Sequence, residues 1–155
     1  MQTALVAGDR EQAEGTAELV GDPPDASYIG PDSVVCTPDE QAVAYAVKAL
    51  LLEQTAIAVY HIGGVSTTAP PLIGEQAVAL YALIDGDRAA LLGALDRLLD
   101  AHAAEAVEPE AAREPRRFMS LPALTLVRLA IDAGLVTRTD VPASIYLPVD
   151  VLVMV

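Results

Sequence analysis

The stretch that most constrains this chain is residues 37–62, TPDEQAVAYAVKALLLEQTAIAVYHI. Thr37 offers a hydroxyl to the orphan N–H groups of a helix start, and Pro38 suits the first helical position. Asp39 and Glu40 put carboxylates in the positive first turn. Beyond that start, Val43, Tyr45, Val47, Leu50, Leu51, Leu52, Ile57 and Val59 place apolar side chains on nearly every face. A helix apolar all round is the buried centre of a protein or a membrane span. Lys48, Glu53 and Gln54 interrupt the run, and charge is costly at bilayer depth. The pattern therefore predicts one continuous helix, ending near His61 at the Gly63-Gly64 stop, with other helices packed around it.

What surrounds it must also be helical and aliphatic. The 155 residues are 53% hydrophobic and 20% charged, with five Tyr, one Phe and no Trp, so the core has to be built from Leu, Val, Ile and Ala. A chain of this length buries about two thirds of its unfolded surface in a single core. The expected class is all-α: an irregular helical bundle or helical-repeat-like array of about five to six helices, with room for a short extended C-terminal segment.

The net charge of −13 is unevenly spread, with nine carboxylates against one base in residues 1–40 and thirteen against eight in residues 41–155. That opening segment holds a weak helix signal over residues 1–20 and then GDPPDASYIGPDSVVCTP. It reads as an acidic N-terminal arm, or the remnant of a longer N-terminal region, ahead of a single helical domain at 41–155. A field of this sign repels phosphate backbones and complements a basic partner. It argues against nucleic acid as a partner.

In chain order, the loop GGVSTTAPP offers Thr68, Pro70 and Pro71 as a helix start, and residues 72–84 read as a second core helix. Asp85-Gly86-Asp87 breaks it. Residues 87–108 form the cleanest amphipathic pattern, with Leu91, Leu92, Leu95, Leu98, Leu99 and Ala103 at three- and four-residue steps. After the charged loop 108–118, Ser120 caps SLPALTLVRLAIDAG, which stops at Gly134. The last residues are too few to span a bilayer and suggest an extended connection followed by a short helix from Pro148.

No motif points to catalysis, a cofactor or a metal. His61 and His102, the only histidines, lack HExxH spacing; His61 reads as a core or helix-terminal residue and His102, beside Asp100 and Glu105, as solvated surface. HIGGVSTT lacks the lysine of a phosphate loop, and Asp85-Gly86-Asp87 lacks the third calcium-liganding position. Ser66, Ser120 and Cys36 lie in no GxSxG or comparable nucleophile motif, and a single cysteine permits no internal disulfide. The first fifteen residues lack a basic region followed by an apolar run, so a cytoplasmic protein is expected.

The helix DRAALLGALDRLLDAHAAEA, the Arg/Pro-rich loop after it, FMSLPALTLVRLAIDAGL, and the closing SIYLPVDVL together resemble the C-terminal part of immunity protein family 49, from bacterial polymorphic toxin systems. The similarity runs over about residues 87–152, with Val151 standing where the family has the first of two final leucines. It implies an all-helical, non-enzymatic protein that binds and neutralises a cognate toxin. With the charge, it makes a basic toxin the expected partner and Asp96, Asp100, Glu105, Glu108 and Glu110 the expected contact surface. The competing reading is a helical scaffold that homo-oligomerises through its apolar helix.

Overall fold

The computed structural model describes residues 1–21, 36–107 and 118–152. Among them are seven α-helices and no strand: α1 (Gln2–Val6), α2 (Arg10–Leu19), α3 (Pro38–Leu51), α4 (Thr55–Ile62), α5 (Pro71–Asp85), α6 (Arg88–Ala106) and α7 (Leu121–Asp132). The all-α expectation stands.

Most boundaries follow from local chemistry. At α3 the Thr37 hydroxyl accepts from the Glu40 N–H at 3.2 Å and the Glu40 carboxylate accepts from the Thr37 N–H at 2.6 Å, a reciprocal capping box. Asp87 accepts from the Ala90 N–H at 2.9 Å to start α6, and Ser120 from the Ala123 N–H at 3.4 Å to start α7. Gly86 and Gly134, at φ +70° and +68°, take the left-handed conformation that closes α5 and α7. Thr68 is not a cap, because α5 starts from Pro70. The Thr68 hydroxyl instead meets that of Ser66 at 2.8 Å, and the Ser66 N–H donates to Asp39 at 2.8 Å.

The expected long helix over residues 37–62 is two helices. Glu53 adopts φ 57°, its N–H donates to the Leu50 carbonyl at 3.1 Å, and the Gln54 N–H donates to the Ala49 carbonyl at 2.8 Å. This is a Schellman closure with glutamate where glycine usually sits, and the absence of a glycine is why the break was invisible in the sequence. The weak helix signal over residues 1–20 is likewise two helices, separated at Gly8 (φ 84°) and restarted by Asp9, which accepts from the Gln12 N–H at 2.9 Å. Leu5, Val6, Ala13 and Ala17 of these helices are buried.

The central helix is α7 rather than residues 37–62. Every residue from Ala123 to Ala130 is buried, and α7 touches α1, α5 and α6. α5 and α6 form the most extensive pair, and α3 packs on α4 and α5. Leu51, Leu80, Leu91, Leu95, Leu98, Leu124 and Leu126 are nearly or wholly inaccessible. Each contributes roughly 1.5–3 kcal/mol by leaving water. Polar side chains trapped in this core bond to their own helices, Thr125 to the Leu121 carbonyl at 2.9 Å and Gln76 to that of Leu72 at 3.0 Å. The C-terminal segment closes the bundle: the Ser120 N–H donates to the Tyr146 carbonyl at 2.8 Å, and Leu147 and Leu152 are buried. The short helix expected from Pro148 is a single 3-10 turn, Val149–Val151.

Two outcomes are expected from this architecture. Replacing Glu53 by Gly removes a left-handed residue with a side chain, and should raise the unfolding free energy by about 1 kcal/mol. Denaturant midpoints measure it. A fall would mean that the 4.0 Å contact of Glu53 with Arg10 outweighs the backbone strain. Asp140 accepts the Thr137 N–H and hydroxyl, each at 2.8 Å, and meets Arg88 at 2.7 Å. These bonds, the Thr137 backbone bond foremost, hold its carboxyl below the usual carboxylate range. A depressed folded-state value stabilises the protein above that range, and the stabilisation is lost as acid protonates the group. The stability difference between wild type and Asp140→Asn should be present at neutral pH and vanish on acidification below the ordinary carboxylate range.

Candidate partner-binding surface

Of the expected contact carboxylates, the three among the described residues, Asp96, Asp100 and Glu105, do not share one face. Asp96 and Asp100 are exposed, four residues apart on the outer side of α6, opposite the buried Leu91, Leu95 and Leu98. Glu105 is also exposed but lies about 180° round the helix from Asp96, because nine residues of α-helix turn two and a half times. Glu108 and Glu110 fall outside the described residues. Arg97, the base between the two aspartates, is held against α5 by Glu75 at 2.9 Å. The same hydrogen bond raises the Arg97 pKa above its ordinary value. With that base occupied, the Asp96–Asp100 strip keeps its negative character.

His102 is not surface. It is 6% exposed, its ring meeting Tyr146 edge-on at 5.1 Å and 68°. Its position four residues after Leu98 and three after Leu99 puts it on the buried stripe, a stronger signal than the acids beside it in sequence. His61 is half-buried near the end of α4, its ring packed 5.3 Å from Tyr45 and 5.4 Å from Tyr60. Ser120 is buried as a cap and Cys36 is exposed. Among the described residues no three His, Cys, Asp or Glu gather as a metal site, and no helix is long and apolar enough to cross a membrane.

One charged cluster ties separate elements together. Arg10 of α2 bonds Glu14 and approaches Asp132 of α7 at 3.8 Å, while Asp132 pairs with the buried Arg128 at 2.9 Å. A cleft of about 290 Å³ opens beside it, walled by Leu50, Leu83, Ile84 and Leu129 with Arg10 and Asp132 at its polar end. Glu14 first, then the charges of Asp132 and Glu53, raise the Arg10 pKa, so its guanidinium stays charged. Such a group can anchor an anion or staple helices and is unsuited to proton transfer. Here its neighbours commit it to stapling.

The feature the sequence reading missed is α4. Read as core, it buries only Ala58 and Ile62 and turns Ile57, Val59 and Tyr60 outward, Tyr60 being 78% exposed. Val78 and Tyr81 of α5 are exposed as well. A Cβ at Gly63 would meet the Tyr81 hydroxyl at 3.5 Å, so this tyrosine lies over the end of α4.

Neither the curated proteins nor the solved structures contain a significant match to the chain. The model of one protein family, Immunity protein 49, matches residues 75–150. The matched region begins in the first turns of α5, takes in α6 and α7, and ends in the last 3-10 turn. From Glu75 to Asp150, then, this chain carries the sequence pattern of Immunity protein 49, the family that its residues 87–152 already resembled.

Proposed function

We propose that this is a bacterial immunity protein that binds a cognate, basic toxin in the cytoplasm and neutralises it by stoichiometric occlusion, performing no reaction of its own. The observation that carries the reading is the Immunity protein 49 match across α5, α6 and α7. The charge supports the choice of partner: a surface at −13 attracts a cationic protein from a distance, and Asp96 and Asp100 stand exposed on a helix inside the matched region. Electrostatic attraction of this kind acts mainly on the rate of encounter, while packed apolar contacts set the rate of escape.

Co-expression with candidate toxins encoded beside it is the direct test. Survival of cells that the toxin alone would kill is the expected result, and killing unabated by this protein would refute the reading. With purified components, toxin activity should fall to its floor at one equivalent; full inhibition at a small fraction of an equivalent would indicate turnover and an enzymatic antidote. The association rate should drop several-fold between low and high salt. It should also drop in the double variant Asp96→Asn, Asp100→Asn, with dissociation little changed. A rate indifferent to both would remove the electrostatic part of the proposal.

A further inference from the structure

α4 is built the wrong way round for a helix that only fills a core. Its inward residues are Ala58 and Ile62, whereas the larger set, Ile57, Val59 and Tyr60, points away from the bundle. Tyr81 on the neighbouring helix is exposed too and lies over the end of α4. Single exposed apolar residues are ordinary, but Ile57, Val59 and Tyr60 on the outward side of one short helix, with Tyr81 lying over its end, form a patch of the kind that marks contact sites. Tyrosine at the middle of such a patch is a typical anchor, offering a broad apolar ring with a hydrogen-bonding tip and little rotamer entropy to lose.

The charges around α4 say what would cover it. Glu53 stands exposed just before its first turn, 4.0 Å from Arg10, and Asp39, which accepts from the Ser66 N–H, stands beside the loop just after its end, so a carboxylate flanks the helix at either extremity, the first of them shared with Arg10. The nearby base Lys48, its ammonium donating to the Val20 carbonyl and lying 5.2 Å from the centre of the Tyr45 ring, keeps its positive charge, so the preference for a cationic partner comes from the net charge of −13 more than from the two ends of the helix. A second copy is a poor occupant. A two-fold dimer on α4 would bring the acidic ends of both helices into one interface between chains that each carry −13. An apolar surface rimmed with lysine and arginine fits both the patch and its ends.

We infer that the outer face of α4, centred on Tyr60 and continued by Tyr81, is the docking surface for a basic partner protein. This rests on the immunity reading and deepens it by assigning the contact. α4 lies outside the matched residues 75–150, so the docking surface belongs to the part of the chain that the family pattern does not describe. In this arrangement α5, α6 and α7 supply the framework, and the helix before them supplies the anchor.

The probe is the toxin that the wild-type chain is found to suppress. Tyr60→Ala should weaken binding to it by about 30-fold, the effect of losing one hot-spot side chain. Ile145→Ala, at another strongly exposed apolar residue, should leave affinity unchanged. Thermal unfolding of both variants should match wild type, since neither side chain is buried. In the free protein, light scattering at micromolar concentration should give a monomer, and hydroxyl-radical footprinting should label Tyr60 freely. Equal affinity of Tyr60→Ala and wild type overturns the assignment, as does a dimer that Tyr60→Asp dissociates. A Tyr60 protected in the free monomer overturns it too, because another part of this chain would then cover the face. If the wild-type chain suppresses no toxin, the immunity reading fails and takes this assignment with it, an outcome distinct from a toxin that binds both forms alike.

Discussion

Everything in this structure depends on burying α7. Its eight residues from Ala123 to Ala130 leave no face to water, and each neighbour is placed by the need to cover one of them: α1 on one flank, α5 and α6 on the others. Because the chain has one Phe, no Trp and mostly Leu, Val, Ile and Ala inside, this covering is done by many small aliphatic contacts and not by a few large rings. Dispersion between close-packed aliphatic groups is weak per atom and large in sum, which ties stability to the fit of whole helix faces. The buried Arg128 is the exception. Its pairing with Asp132 of the same helix at 2.9 Å keeps its charge from being stranded, and Arg10 at 3.8 Å from Asp132 carries the network to α2.

That arrangement divides labour along the chain. From α5 to the last turn the residues mainly pack: the α5–α6 pair, the central α7, and the terminal strip that places Tyr146 against His102 and seats Leu147 and Leu152 in the core. This is the region whose sequence pattern matches Immunity protein 49. A pattern dominated by packing residues specifies a scaffold more than a contact. On the proposed reading, the features among the described residues that distinguish one partner from another are the acidic strip of α6, inside that region, and the outward face of α4, before it. Charge complementarity speeds encounter and rejects wrong partners, whereas a buried aromatic anchor slows release. The two surfaces suit these complementary tasks.

Much of the fold was legible because it is locally encoded. Thr37 with Glu40, Asp87 and Ser120 act as caps, and Gly86 and Gly134 as stops, each within a few residues of the helix end it controls. The amphipathic spacing of Leu91, Leu95 and Leu98 fixed the buried side of α6 in advance. Three things were not legible. Glu53 breaks the long helix with a backbone conformation that a glutamate does not advertise. The stretch spanning α3 and α4 reads as apolar on nearly every face, whereas α7 reads as apolar on one side; only long-range packing decides that α7 is enclosed while α4 turns Ile57, Val59 and Tyr60 outward. His102 looked wet beside Asp100 and Glu105, yet helical geometry places it one turn on from Leu98, on the dry side. Of the expected contact residues, Asp96 and Asp100 stand exposed one turn apart and Glu105 turns away from Asp96, while the outward face of α4 was taken for core.

The most direct test is amide hydrogen exchange read by mass spectrometry on the free chain and on its complex with the suppressed toxin. A bundle organised on α7 with a free α4 should show residues 123–130 exchanging most slowly in the isolated protein, and new protection on complex formation over residues 55–62. Fast exchange across α7, or partner-induced protection that leaves residues 55–62 untouched, would contradict the account.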